Sequence, residues 1–284
     1  MASPPVHGPD HELEEHDRGL VYDLATLDRR QVLKLLGFGG VSASLFALAG
    51  CSPTGLGATT TAADPGATTT AVGASCAVIP EETAGPFPGD GTNGPNVLNQ
   101  SGVVRQDIRS SFGSSTTVAQ GVPLMIKLTI QDAASCKALA GAAVYLWHCD
   151  RDGNYSLYSQ AAADENYLRG VQAADAGGVV TFQSIFPACY AGRWPHIHFE
   201  VYPSLAMATD EAKKVATSQV ALPKDACDAV YATDGYAQSI VNLSQVSLER
   251  DNVFGDDGGI HELGTVTGSV ADGLTVALTV PVSD

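Results

Sequence analysis

Several familiar signatures are missing from this chain of 284 residues. No two of its six cysteines stand as Cys-x-x-Cys, so the usual zinc-site spacing is absent. There is no glycine-rich phosphate loop ending in Gly-Lys-Ser/Thr and no Gly-x-Ser-x-Gly elbow. Nucleotide-dependent and α/β-hydrolase chemistry are set aside on that ground. Basic residues are scarce: 15 against 31 acidic ones give a formal charge of −16. Such a surface repels nucleic acid and anionic lipid headgroups, so neither is expected as a partner. Aromatic residues are few, at 7%, and charged ones make up 16%, while 30 glycines accompany 44% hydrophobic residues. That balance describes a strand-rich, loop-rich globular chain able to bury a sizeable core.

What is present begins with the leader. Asp28-Arg29-Arg30-Gln31-Val32-Leu33-Lys34 precedes an apolar, glycine-containing run from Leu35 to Gly50. The pattern resembles a bacterial twin-arginine export signal, and the run is short for a permanent span, which needs about 20 apolar residues. Leu48-Ala49-Gly50-Cys51 resembles a lipobox, in which the cysteine is lipidated and becomes the new N-terminus. A lipid on Cys51 would provide a membrane anchor without a transmembrane helix. Residues 52–75 repeat Gly-Ala-Thr-Thr-Thr at 57–61 and 66–70 and have few large apolar side chains, which reads as a flexible tether. The expected organisation is a leader over 1–51, a linker over 52–75 and a folded domain over 76–284. The expected location is the outer face of the bacterial cytoplasmic membrane, or the medium if the anchor is absent. Apart from Cys51, five cysteines (Cys76, Cys136, Cys149, Cys189 and Cys227) would then meet an oxidising compartment. Two disulfides and one free thiol are expected, with the pairing open.

Alternating and β-branched stretches predict strands over 122–132, 142–149, 179–186, 195–202 and 218–222, with a hairpin over 264–282. Turn signals stand at Asp152-Gly153-Asn154 and Asp175-Ala176-Gly177-Gly178. Short helices are expected over 210–217 and 224–232. The fold class that follows is all-β, a β-sandwich of mostly antiparallel strands with long loops and a few short helices.

Chemistry concentrates in Arg193-Trp194-Pro195-His196-Ile197-His198. On an extended strand a His-x-His pair presents both imidazoles on one face, because side chains alternate with period two. Taken alone, the pair suits zinc or copper as well as iron. Tyr155 and Tyr190 lie upstream, and two neutral imidazoles with two phenolates suit a hard ferric ion. Other histidines are few: His148 reads as a hydrogen-bonded core residue, and His261, with Glu262, as surface on opposite faces of a strand. Asp256-Asp257 reads as a turn, and Tyr158 and Tyr167 as pocket-lining or packing side chains.

The run Trp147-His148-Cys149-Asp150-Arg151-Asp152-Gly153-Asn154-Tyr155-Ser156 and the run from Phe186 to His198 together resemble the intradiol ring-cleavage dioxygenases. Leu168-Arg169-Gly170-Val171-Gln172 and the stretch Asp175–Phe182 resemble connecting strands of that family, and Thr83–Pro86 and Arg105–Ile108 extend the likeness more faintly. It is closer to the exported, single-domain branch than to the cytoplasmic catechol or protocatechuate enzymes, and the longer insertion that catechol enzymes carry between Tyr190 and His196 is missing here. The resemblance implies a non-haem Fe(III) centre with Tyr155 and His196 as equatorial ligands and Tyr190 and His198 as axial ones. It implies that an aromatic diol chelates the iron, displacing Tyr190, which accepts a substrate proton, and that O2 cleaves the ring to a muconate-type dicarboxylic acid. It further implies that Arg193 stabilises charge on the activated ring and that Gln219 lies near the oxygen-binding side. The rival reading is a non-catalytic lipoprotein that binds iron or catecholates on the same fold.

Overall fold

Alternation of apolar side chains organises the chain wherever it is described. The computed structural model describes residues 76–283; the twin-arginine stretch, the lipobox, Cys51 and the linker over 52–75 lie outside the described residues. Along β1 (Pro123–Asp132), Leu124, Ile126, Leu128 and Ile130 are buried while their neighbours are less so. The remaining strands are β2 (Lys137–Ala138), β3 (Ala143–Trp147), β4 (Arg169–Ala173), β5 (Val179–Ile185), β6 (His196–Tyr202), β7 (Ala216–Ala221), β8 (Thr265–Ser269) and β9 (Gly273–Val282). Two helices complete the set, α1 (Lys224–Tyr231) and α2 (Ala237–Leu243).

The strands form two sheets. In the first, β1 is central, parallel to β9 and antiparallel to β5 and β2, and β8 closes a hairpin onto β9. The second runs β4-β3-β6-β7, antiparallel throughout. Ile126, Leu128, Phe182 and Val276 of the first sheet pack with Val144, Leu146, Ile197, Phe199 and Val220 of the second in one core. This is the all-β, mostly antiparallel sandwich expected from the sequence.

The second sheet is buried on both faces. Its outer face carries Tyr145, Trp147 and Tyr202, which cluster with Val97, Leu98, Val103 and Tyr155 from flanking segments. Every residue of β3, β6 and β7 is buried as a result. A polar side chain on that outer face is therefore held in a dry layer without facing solvent. That layer houses the site.

Three expectations are corrected. The helix expected over 210–217 is only a 3-10 turn, Glu211–Lys213, capped by Asp210, whose Oδ1 accepts from Ala212 N. From Ala216 onward the backbone pairs with β6, and that pairing overrides local helix propensity. Instead of two disulfides there is one among the described residues, Cys76–Cys136; Cys149, Cys189 and Cys227 are free and buried. Those three sit in the apolar clusters, where a thiol behaves as a small hydrophobe. His261 and Glu262 lie in a turn rather than a strand, and only His261 is exposed; Glu262 is buried beneath it. Helix α2 was not foreseen.

Candidate metal centre

The alternation of β6 sends Ile197 and Phe199 into the inter-sheet core and His196 and His198 to the opposite, outer face. The two Nε2 atoms stand 3.1 Å apart. Tyr155, from the loop after β3, places Oη 3.4 Å from His196 Nε2. Tyr190, from the loop between β5 and β6, places Oη 3.2 Å from the same nitrogen. Tyr155, His196 and His198 are buried, and Tyr190 is half-buried. Four donor atoms from three segments thus converge on one point.

Their chemistry fits a cation. His196 Nδ1 lies 2.6 Å from the carbonyl oxygen of Trp194. A carbonyl only accepts, so the ring proton sits on Nδ1 and the Nε2 lone pair faces the other donors. Burial, then Arg193, holds the pKa of His196 well below its ordinary value; burial, His196 and Arg193 do the same for His198. Both imidazoles are therefore neutral at ordinary pH and free to ligate. Ligands ~2.0–2.2 Å from a shared ion stand roughly 3 Å apart across a right angle, which is the spacing seen here. Burial, followed by Tyr190, pushes the Tyr155 phenol well above its usual range. A metal charge among the four atoms reverses that preference and favours phenolate. No group of three or more His, Cys, Asp or Glu able to hold a metal occurs among the described residues, so any ion here depends on the two phenols.

Packing fixes the ligand rings. Trp147 stacks on His198 with centroids 4.9 Å apart and planes 3° from parallel, and β3 pairs these two residues directly. Gly85 also approaches the ring closely: a Cβ there would lie 3.3 Å from His198 Cε1, and φ is +69°. The Nδ1 atom of His198 is buried without a hydrogen-bond partner, so its ring is held by these contacts.

Arg193 is buried beside the cluster. Its Nη2 donates to Gln219 Oε1 at 2.8 Å and its Nε to Asp251 Oδ2 at 3.2 Å. Gln219 stands opposite His198 in the β6–β7 register and donates from Nε2 to the Thr83 carbonyl at 2.9 Å. The structure therefore brings Tyr155, Tyr190, His196, His198, Arg193 and Gln219 together. His148 is apart from them, its ring nitrogens 2.7 Å from Cys149 O and Ser184 Oγ, as expected of a core histidine. Tyr158 and Tyr167 bond elsewhere, to Asn93 and Asp150. Sequence reasoning missed Asp251, Trp147 as a ring support, and the contact at Gly85. For Asp251 no local signal exists, since it reaches the site only through the fold. A cavity of about 550 Å³ opens against the two phenols, lined also by Phe87, Arg151, Gln238 and Asn242. That volume is in the range of small-molecule sites.

Comparison with known proteins places the chain among dioxygenases in pattern and fold. Residues 93–197 match the family model described as "Dioxygenase", a span that holds Tyr155, Tyr190, Arg193 and His196. A stretch of 52 residues is 40% identical to chlorocatechol 1,2-dioxygenase of Rhodococcus opacus, covering 18% of this chain and 20% of that protein. The chain thus aligns with about a fifth of the length of that curated relative. Among solved structures, the intradiol ring-cleavage dioxygenase of Tetranychus urticae shares the fold, with a TM-score of 0.59 and 24% identity over 73% of this chain and 95% of the other. The likeness read from the motifs is borne out both in family pattern and in architecture.

Proposed function

We infer that this chain, which carries the dioxygenase pattern on the fold of the intradiol ring-cleavage enzymes, is itself an Fe(III)-dependent intradiol dioxygenase acting on a catechol-type diol. The observation that carries the reading is the convergence of two imidazoles and two phenols beside a buried arginine. Ferric iron bound there would supply Lewis-acid activation and a template for a chelating diol and O2, and the product is a muconate-type diacid. Tyr155, Tyr190, His196 and His198 are the residues that would hold it.

The protein's own groups have separable tasks. Tyr190 is the half-buried donor at the cavity, so its Oη is the base best placed to take a diol proton as substrate arrives. Arg193 sets a fixed positive charge next to the ligands, where it stabilises negative charge developing on the ring. Gln219 holds one edge of that guanidinium and ties it to the segment at Thr83. Trp147 and Gly85 keep the His198 ring from turning. The dry layer around the donors strengthens each of these electrostatic effects. The leader motifs favour action outside the cytoplasmic membrane with Cys51 as lipid anchor; a Cys51→Ser variant released to the soluble fraction would support that placement.

Metal analysis, colour and oxygen uptake test the reading together. The purified protein should hold one iron per chain and show a red-brown phenolate-to-Fe(III) absorption that Tyr190→Phe shifts or bleaches. It should consume O2 with catechol-type diols and yield ring-opened diacids. A coloured protein that binds diols yet takes up no oxygen across a diol panel would make it a binding protein.

A further inference from the structure

We propose that Asp251 is the positioning residue that aims the Arg193 guanidinium at the metal-ligand cluster. The inference rests on the dioxygenase reading for its catalytic consequence, though the contact itself does not.

Asp251 comes from the loop of short 3-10 turns, Leu248–Arg250 and Phe254–Asp256, that follows α2. Its side chain is fully buried. Oδ2 accepts from Arg193 Nε at 3.2 Å and from Trp194 N at 2.6 Å. Oδ1 accepts from Val253 N at 2.9 Å and Phe254 N at 3.2 Å. Both oxygens are thus pinned by backbone donors, and the carboxylate cannot turn without breaking several bonds. A fixed carboxylate fixes what it holds. With Nε on Asp251 and Nη2 on Gln219, two nitrogens of the guanidinium are held by separate side chains.

The same carboxylate bonds the backbone at Trp194, whose carbonyl sets the His196 tautomer. Phe254, whose amide bonds Asp251, also packs its ring on His196, with centroids 6.5 Å apart. One loop therefore braces the arginine and the start of β6 together. A buried arginine that loses its carboxylate keeps an uncompensated charge and moves toward any other acceptor. Asn at this position matches the shape but turns an NH2 toward either Arg193 Nε or the Val253 and Phe254 amides, where a donor meets donors.

The test uses the full protein and two readouts. In arginine-¹⁵N-labelled protein loaded with diamagnetic Ga(III), the Arg193 Nε–H signal should exchange slowly. In Asp251→Asn it should move and exchange at least tenfold faster. In the iron-loaded protein, Asp251→Asn should lower kcat roughly 10- to 100-fold with KM within about twofold and the colour unchanged. Asp251→Glu, which keeps the charge but shifts it by one methylene, should fall between and serves if the asparagine variant does not fold. In an Arg193→Gln background Asp251→Asn should cost little more, because the group it positions is gone. An unmoved arginine signal in either variant, or kcat losses that multiply independently, overturns the proposal. If the parent protein cleaves no diol, the functional reading fails while the arginine signal alone still decides the role of Asp251.

Discussion

At Gly85 a single hydrogen atom keeps His198 in place. The backbone there has φ of +69°, a region that costs an L-residue about 1 kcal/mol or more. An added Cβ would stand 3.3 Å from His198 Cε1 and 3.7 Å from Nε2, closer than comfortable packing on the former. The ring has little room to move, because Trp147 is stacked on it with centroids 4.9 Å apart. Gly85→Ala should therefore reduce stability by about 1–2 kcal/mol and, by turning the imidazole, weaken metal retention by an order of magnitude. Competition with a chelator, measured beside a denaturation curve, checks both; a variant that loses stability and holds metal as tightly as the parent would remove Gly85 from the account of the ring. The four donors were legible in the sequence for a physical reason. Period-two alternation assigns His196 and His198 to one face, and the tyrosines follow in their resembling motifs. Asp251 was not legible: it stands 58 positions from Arg193, and nothing near it in the chain speaks of an arginine.

Arg169 does for the covering segment what β-pairing does for the sheets. From β4 it donates to the carbonyls of Phe87, Pro88 and Ser156, to Ser156 Oγ and to Tyr145 Oη, using all five N–H groups. Those bonds fasten the stretch around Gly85 onto the outer face of the second sheet, and so roof the site. Gly89 makes room, since a Cβ there would lie 2.7 Å from Arg169 Nη1. A lysine would keep the charge but reach at most three of these acceptors, without the planar fork. Arg169→Lys should cost about 2–4 kcal/mol and raise proteolytic cleavage near residues 85–95. Limited proteolysis with peptide mapping reads this directly, and cleavage spread evenly over the domain would argue against a fastening role. Strand positions were readable because alternation is a local property. The short helix α2 and the 3-10 turn at 211–213 were not, because tertiary pairing and packing decide such short segments.

For the molecule as a whole, one covalent link and a few buried charges set the conditions it tolerates. Cys76–Cys136 closes a separation of 60 residues, which on chain-entropy grounds contributes about 4 kcal/mol. Reduction should lower the unfolding midpoint, while Cys149, Cys189 and Cys227 stay unreactive toward thiol reagents until the protein unfolds; rapid labelling of all three in native protein would contradict their burial. The pH response has two limbs. Burial lowers the His148 pKa to about 4, so the unfolded chain binds more protons between there and pH 6.5, and stability is lost as pH falls through that window. Burial raises Glu200 to about 7, and burial with Asp257, Glu82 and Asp256 raises Glu262 to about 8, both from 4.5. From pH 4.5 up to about 7 for Glu200 and about 8 for Glu262, each carboxyl stays protonated in the fold but ionises in the unfolded chain, so stability is lost as pH rises. At pH 4 the Glu262 carboxyl is largely neutral in both the folded and the unfolded chain, and Glu262→Gln replaces it with a neutral group of the same shape, so the midpoints should nearly agree. At pH 8 the carboxyl, whose Oε2 is buried without a hydrogen-bond partner, resists ionising in the fold while it ionises freely in the unfolded parent chain, and the variant has no such group. Glu262→Gln should then melt several degrees higher, at roughly 2–4 °C per kcal/mol for a domain of this size. Salt separates this from the general repulsion of a chain carrying −16, because added salt screens surface charge and leaves the difference at Glu262 nearly intact. A gain equal at pH 4 and pH 8, or one abolished by salt, would place the alkaline limb on the surface instead.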